Sequence, residues 1–260
     1  MQDQIRDNYP AVPPHTAVRG TSNIIMWLHL CFVAVFLLLF TAASIAQQSE
    51  RPNILLIVAD DLGYSDLGSY GGEIDTPVLD KLAQQGTRYT DFYVSPTCSV
   101  TRSMLLSGTD NHVAGLGNMG ELRAPNQMGQ PGYEGVRNTR VASIAELLKA
   151  NGYHTYMAGK WHLGEEEEHW PDKRGFQRSF ALMQGGASHF GDEAPMCNDY
   201  YPIYAEDGVR THTPDDFYSS TLYANKLIDY LETRDNSKPF FGYLAFTAPH
   251  DPMHVPDEWI

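Results

Sequence analysis

The sequence predicts an α/β fold with a mainly parallel, mixed central sheet flanked by helices. Three observations carry that expectation. Apolar, β-rich runs at 53–59, 153–158 and 240–247 alternate with helical patterns, the arrangement that builds a parallel sheet. The first run, NILLIVA, is continuous rather than alternating, as in a strand covered on both faces. Finally, clusters of polar residues fall just after the ends of these runs, where open α/β sheets bind their ligands. A chain of 260 residues, 42% hydrophobic and 19% charged, has ample material for one globular core.

Taken in order, the run 53–59 stops at Asp60-Asp61. Thr76-Pro77 then opens a helix as N-cap and N1 proline, and Gly86 closes it. A second strand is expected at 87–94, leading into PTCSVTRSMLLSG, with a helix beginning near Thr101. VASIAELLKA at 141–150 reads as a helix ended by Asn151-Gly152, and the strand 153–158 runs into Gly159-Lys160-Trp161-His162. An amphipathic helix is expected over 216–233, followed by the strand 240–247 and Ala248-Pro249-His250-Asp251-Pro252. The stretches 108–140 and 164–214, rich in Gly, Pro and Asn, read as long surface loops.

Residues 1–46 stand apart. From Ile24 to Ala46 the chain is almost wholly apolar and ends in small residues, which reads as a signal peptide cleaved after Ala46 or as an uncleaved signal anchor. Arg6 and Arg19 favour an inside N-terminus, so residues 47–260 are expected outside the cytoplasm, periplasmic or secreted, touching a membrane only through an uncleaved anchor. The net charge of −14 makes nucleic acid an improbable partner. An anionic ligand would need a local cluster of cations or a metal ion.

Such a cluster is visible at the strand ends. Asp60 and Asp61 alone read as an Asx-type turn, but with cations at matching strand ends they read as ligands for a hard divalent cation. Lys160 and His162, spaced i and i+2, face one side of an extended segment and together suit a tetrahedral oxyanion. His250 stands between prolines, so it and His254 are not a helical zinc pair. Cys98 precedes a helix whose free N–H groups favour an anion, with Arg102 one turn on. It reads either as a nucleophile or as a buried inert thiol, and a bridge to Cys197 would remove the nucleophile. His112 and the acidic run Glu165 to Glu168 read as structural or solvated.

Together these motifs resemble the arylsulfatase family of the alkaline-phosphatase-like superfamily, from about Arg51 onward. The matching residues are Asp60-Asp61 after NILLIVA, Cys98 with Thr101-Arg102 and Leu106-Ser107-Gly108, Gly152 to Gly164 around Lys160-Trp161-His162, and Pro249-His250 with Pro252. The resemblance implies hydrolysis of sulfate esters, small-molecule or glycan, through a formylglycine made from Cys98 by a formylglycine-generating enzyme. A hydrated aldehyde can expel transferred sulfate by collapsing through its second hydroxyl, an exit that a thiol lacks. By the same resemblance Asp60 and Asp61 bind calcium (Ca2+) together with residue 98. Arg102 and Lys160 stabilise the nucleophile and the sulfate, His162 assists elimination, and His250 contacts the sulfate and leaving-group oxygens. Val100 stands where the family motif usually has proline. The family's other metal ligands and a second lysine are expected beyond Ile260, so 47–260 reads as the N-terminal part of a catalytic domain, C-terminally incomplete. A phosphate or phosphonate ester hydrolase of the same fold, and a catalytically silent anion-binding relative, are the alternative readings.

Overall fold

The computed structural model describes residues 26–27, 29–30, 32–33, 51–192 and 201–260. Two compact units emerge, Met1–Arg51 and Pro52–Ile260. In the first, residues 26–27, 29–30 and 32–33 are helical and exposed. Among the described residues no helix is long and apolar enough to cross a membrane. The proposed cleavage point after Ala46 lies outside the described residues, as does Cys197.

The second unit is built on a six-stranded sheet. Its strands are β1 (Ile54–Val58), β2 (His154–Lys160), β3 (Arg178–Leu182), β4 (Tyr204–Glu206), β5 (Val209–Thr211) and β6 (Phe240–Ala245), in the order β1-β6-β2-β3-β4-β5. The first four positions in that order pair parallel and the last two strands antiparallel, so the sheet is mixed. The helices are α1 (Pro77–Gln85), α2 (Cys98–Ser107), α3 (Ile144–Ala150) and α4 (Ser219–Glu232). Side-chain alternation along the central strands divides the core in two. Met157, Phe241 and Tyr243 join Leu106 of α2 and Ala145 of α3 on one face, with Trp161, Trp170 and Phe176. Tyr156, Ala158 and Leu244 join Tyr223, Leu227 and Tyr230 of α4 on the other. Helices on both faces of a largely parallel sheet make the α/β layering expected from the alternating runs.

Local chemistry explains the element ends. Ser143 caps α3 in a reciprocal capping box, its hydroxyl accepting from the Ala145 N–H while the Glu146 carboxylate accepts from the Ser143 N–H at 2.5 Å. Gly159 lies just before the end of β2 with φ +112°, and a Cβ there would fall 1.8 Å from the Ala245 carbonyl oxygen. Only glycine lets β2 and β6 approach this closely just before Lys160.

Four expectations are corrected. The stretch 87–94 is not a strand: it has no regular secondary structure, and Tyr89, Phe92, Tyr93 and Val94 are exposed. Its aromatic and β-branched composition carries the propensity, but no neighbouring strand pairs with it among the described residues. The stretch 164–214 is not all loop, because it contains β3, β4 and β5. β4 and β5 have three residues each, too few for an alternating pattern to show. β1 is not covered on both faces, since Leu55 and Ile57 are exposed at this edge of the sheet. Finally, α2 starts at Cys98 rather than near Thr101, with Thr97 as its N-cap.

Candidate active site

β1, β6 and β2 are parallel neighbours, so their C-terminal ends lie side by side. The three polar clusters singled out in the sequence follow these ends. Two backbone bonds tie the first to the third: Phe246 N–H donates to Val58 O (2.9 Å), and Asp60 N–H donates to Ala248 O (3.0 Å).

Asp60 is the centre of a buried ionic cluster. Arg102 Nη2 donates to its Oδ1 at 2.9 Å, and Lys160 Nζ donates to its Oδ2 at 2.5 Å. Arg102 Nη1 also donates to the Lys160 carbonyl (3.0 Å) and to the Tyr243 hydroxyl (3.2 Å). All three charged side chains are nearly inaccessible to solvent. Burial pushes the Asp60 carboxyl up, but Arg102 and Lys160 outweigh it and hold the group below its usual range. Arg102 Nε and Ser99 Oγ, both buried, have no partner among the described residues. Together with the first turn of α2, whose N-cap Thr97 makes no side-chain cap, they leave donors unused.

Cys98 is the first residue of α2, and its thiol is free. Its Sγ lies 3.3 Å from His162 Nδ1. Burial raises the thiol pKa, but the hydrogen bond with His162 and the charge of Lys160 win, and the shift is downward. His162 does not reach this spot by strand alternation. The strand ends at Lys160, and His162 adopts φ 55°, which turns its ring toward Cys98. Lys160 instead points to Asp60. Trp161 between them is fully buried against Phe176, in the core as expected.

The third pair is looser. Asp61 is exposed at φ 58°, and its Oδ2 lies 3.6 Å from His250 Nε2. The site residues therefore fall into three contacting groups, Asp60 with Arg102 and Lys160, Cys98 with His162, and Asp61 with His250. The first two are linked through the fields of Lys160 and Arg102 on Cys98, and the third by the Asp60-Asp61 peptide. His112 packs edge-on against Tyr133, and Glu165 to Glu168 are exposed.

Two contributors were not legible beforehand. Glu121, in a short 3-10 turn over Gly120–Leu122, places its Oε1 2.9 Å from His162 Nε2. It sits within a stretch read as a surface loop, 41 residues before His162, and no spacing pattern connects the two. Gly185 lies against the same imidazole, where a Cβ would come within 2.6 Å of His162 Cε1. Burial lowers the His162 pKa, but the hydrogen bonds with Cys98 and Glu121 outweigh it and the shift is upward.

A family model described as Sulfatase matches residues 52–260, which include every one of these groups. The chain belongs to the sulfatase family. An uncharacterized sulfatase of Schizosaccharomyces pombe is 50% identical over 223 residues, covering 82% of this chain and 40% of that protein. The arylsulfatase of Klebsiella aerogenes is 47% identical over 229 residues, covering 87% of this chain and 49% of that enzyme. This sulfatase chain thus spans less than half the length of either relative. The crystal structure of Ps i-CgsB in complex with k-i-k-neocarrahexaose superposes with a TM-score of 0.69 at 31% identity, covering 80% of this chain and 48% of that one. The structure of BT4656 in complex with its substrate D-glucosamine-2-N,6-O-disulfate gives 0.60 at 29% identity, covering 78% and 35%. The sheet with flanking helices is that of the alkaline-phosphatase-like sulfatases.

Proposed function

We propose that this sulfatase chain carries the nucleophile-bearing half of an exported enzyme that hydrolyses sulfate esters. The observation that carries the reading is the setting of residue 98. It opens a ten-residue helix, touches His162 Nδ1 at 3.3 Å, and lies in the field of a buried Arg102 and Lys160. Converted to formylglycine, this position would supply a hydrated aldehyde as nucleophile. The chain's own groups have separate tasks. Lys160 and Arg102 hold positive charge beneath the site where sulfate oxygens gather, with Asp60 fixing both cations in place. His162 Nδ1 accepts or returns a proton at residue 98. His250, half-buried beside Asp61, is assigned the contact with the sulfate and leaving-group oxygens.

Asp60 and Asp61 supply carboxylate oxygens, the donor type that a hard divalent cation such as calcium takes, and Asp61 still faces solvent. Two carboxylates fall short of the roughly six to eight oxygens that calcium normally takes. Among the described residues no group of three or more His, Cys, Asp or Glu is gathered as a metal site. The fit is therefore chemical but partial, and the reading assigns the remaining ligands to chain beyond Ile260. Bound there, the ion would supply positive charge next to residue 98.

Sulfated glycans are the proposed substrate class, on the strength of the sulfated sugar held by BT4656 and its likeness to this chain. The test uses the full-length protein, peptide mass spectrometry at residue 98, and chromogenic sulfate and phosphate esters. Conversion of Cys98 and a preference for sulfate are expected. Lys160→Ala and His250→Ala should each reduce turnover by about a hundredfold, the cost of one positioned transition-state contact. Active protein with an intact thiol at Cys98, or wild-type rates in both variants, would overturn the reading.

A further inference from the structure

We propose that Glu121 is a positioning residue for His162, holding the imidazole proton on Nε2 so that Nδ1 faces residue 98 as an acceptor. The inference deepens the reading above and rests on it for its kinetic part only. A neutral imidazole has one donor and one acceptor nitrogen, and which is which follows from the bond made by the other. Here the two nitrogens meet chemically opposite neighbours. Nε2 lies 2.9 Å from Glu121 Oε1, and an ionised carboxylate can only accept. Nδ1 lies 3.3 Å from the side chain of residue 98. A carboxylate at Nε2 therefore keeps the proton there and leaves Nδ1 with a free lone pair, ready to accept from a hydroxyl at position 98. Without Glu121 the proton can sit on Nδ1, which then presents a donor where an acceptor is required.

The carboxylate is itself held in place. Arg123 Nε donates to the Gly120 carbonyl at 2.9 Å, and Asn118 Nδ2 donates to the Leu122 carbonyl at 2.8 Å, bracketing the turn that carries Glu121. Arg123 Nη1 further donates to the carbonyls of Tyr133 and Glu134 at 3.1 and 3.0 Å, anchoring the turn to a neighbouring loop. At Cε1, between the two nitrogens, Gly185 packs too closely to admit a Cβ, so the imidazole is confined between backbone and carboxylate. Such outer partners commonly matter by roughly ten- to a hundredfold in function although they touch no substrate. Glu121 is half-exposed, and its replacement should leave the fold intact.

The test has a spectroscopic and a kinetic arm. With 15N-imidazole labelling, at a pH where His162 is neutral, the wild type should show a protonated Nε2 and an unprotonated Nδ1. Glu121→Ala should give a mixed or reversed tautomer, and Glu121→Gln, whose amide oxygen still accepts, should restore it. In the full-length protein Glu121→Ala should lower kcat about tenfold or more with KM within about twofold, and Glu121→Gln should recover most of it. A wild-type proton on Nδ1, an unchanged tautomer in Glu121→Ala, or unchanged turnover in that variant would overturn the proposal. A tautomer that follows Glu121 in protein that turns over no sulfate ester would support the positioning role and count against the enzymatic reading instead.

Discussion

Arg102 and Arg137 are both buried, at 2% and 1% exposure, yet they live under opposite conditions. Arg102 gives one bond to Asp60 and two more to the Lys160 carbonyl and Tyr243. Arg137 has no acceptor for any of its three guanidinium nitrogens among the described residues. It lies 5.7 Å over the ring of Trp161, and burial, followed by repulsion from Arg174, lowers its pKa to about 10. Burial of a cation is thus a poor guide to function. Arg102 belongs to an ionic cluster that joins β1, α2 and β2 at the strand ends, so its charge is balanced beside the candidate site residues. Arg137 is carried by stacking on Trp161 and by the attraction of the Glu146 carboxylate, which offset only part of its lost hydration.

The contrast can be broken at its strongest point first. Asp60→Ala would leave Arg102 and Lys160 buried with no counter-charge, and is expected to cost about 3–5 kcal/mol in urea unfolding. An unchanged midpoint would mean that the cluster is not held together by Asp60. Next, Arg137→Leu should stabilise the protein by about 1 kcal/mol, because it removes a buried cation that has no hydrogen-bond acceptor among the described residues and keeps an apolar contact with Trp161. A loss instead would show that stacking on Trp161 is worth more than the lost solvation. The same substitution at Arg102 should destabilise, and the opposite signs are the sharpest statement of the difference.

The smallest effect concerns a buried group that can shed its charge. His189 is buried, with Nδ1 2.6 Å from Ser219 Oγ and Nε2 3.4 Å from the His250 carbonyl. Burial holds its pKa below the ordinary 6.5, helped by the neighbouring His254 and His250. A lowered folded value means that the unfolded chain binds the proton more readily. The stabilising contribution is therefore complete above about pH 6.5 and is lost as the pH falls through the folded value. His189→Gln should flatten this part of the stability curve, and an unaltered acid limb would show that His189 does not contribute.

The sequence by itself determined the parallel centre of the fold and which polar residues stand at its edge. The runs that became β1, β2 and β6 are local and strongly apolar, and whatever follows a parallel strand must lie at one edge of the sheet, so Asp60, Lys160 and His250 were legible as neighbours. The motif around Cys98 and the stretch Gly159-Lys160-Trp161-His162 carried the family resemblance. Tertiary structure alone decided who pairs with whom. Asp60 meets residues 42 and 100 positions away, and His162 meets Glu121 41 positions away, separations over which no hydrophobic period persists. The fate of weak segments was decided in the same way. Residues 87–94 had the propensity for a strand but no neighbour, whereas Tyr204–Glu206 and Val209–Thr211 had too few residues for a pattern but found partners. A strand is completed by hydrogen bonds to another strand, and that partner is not written in its own few residues.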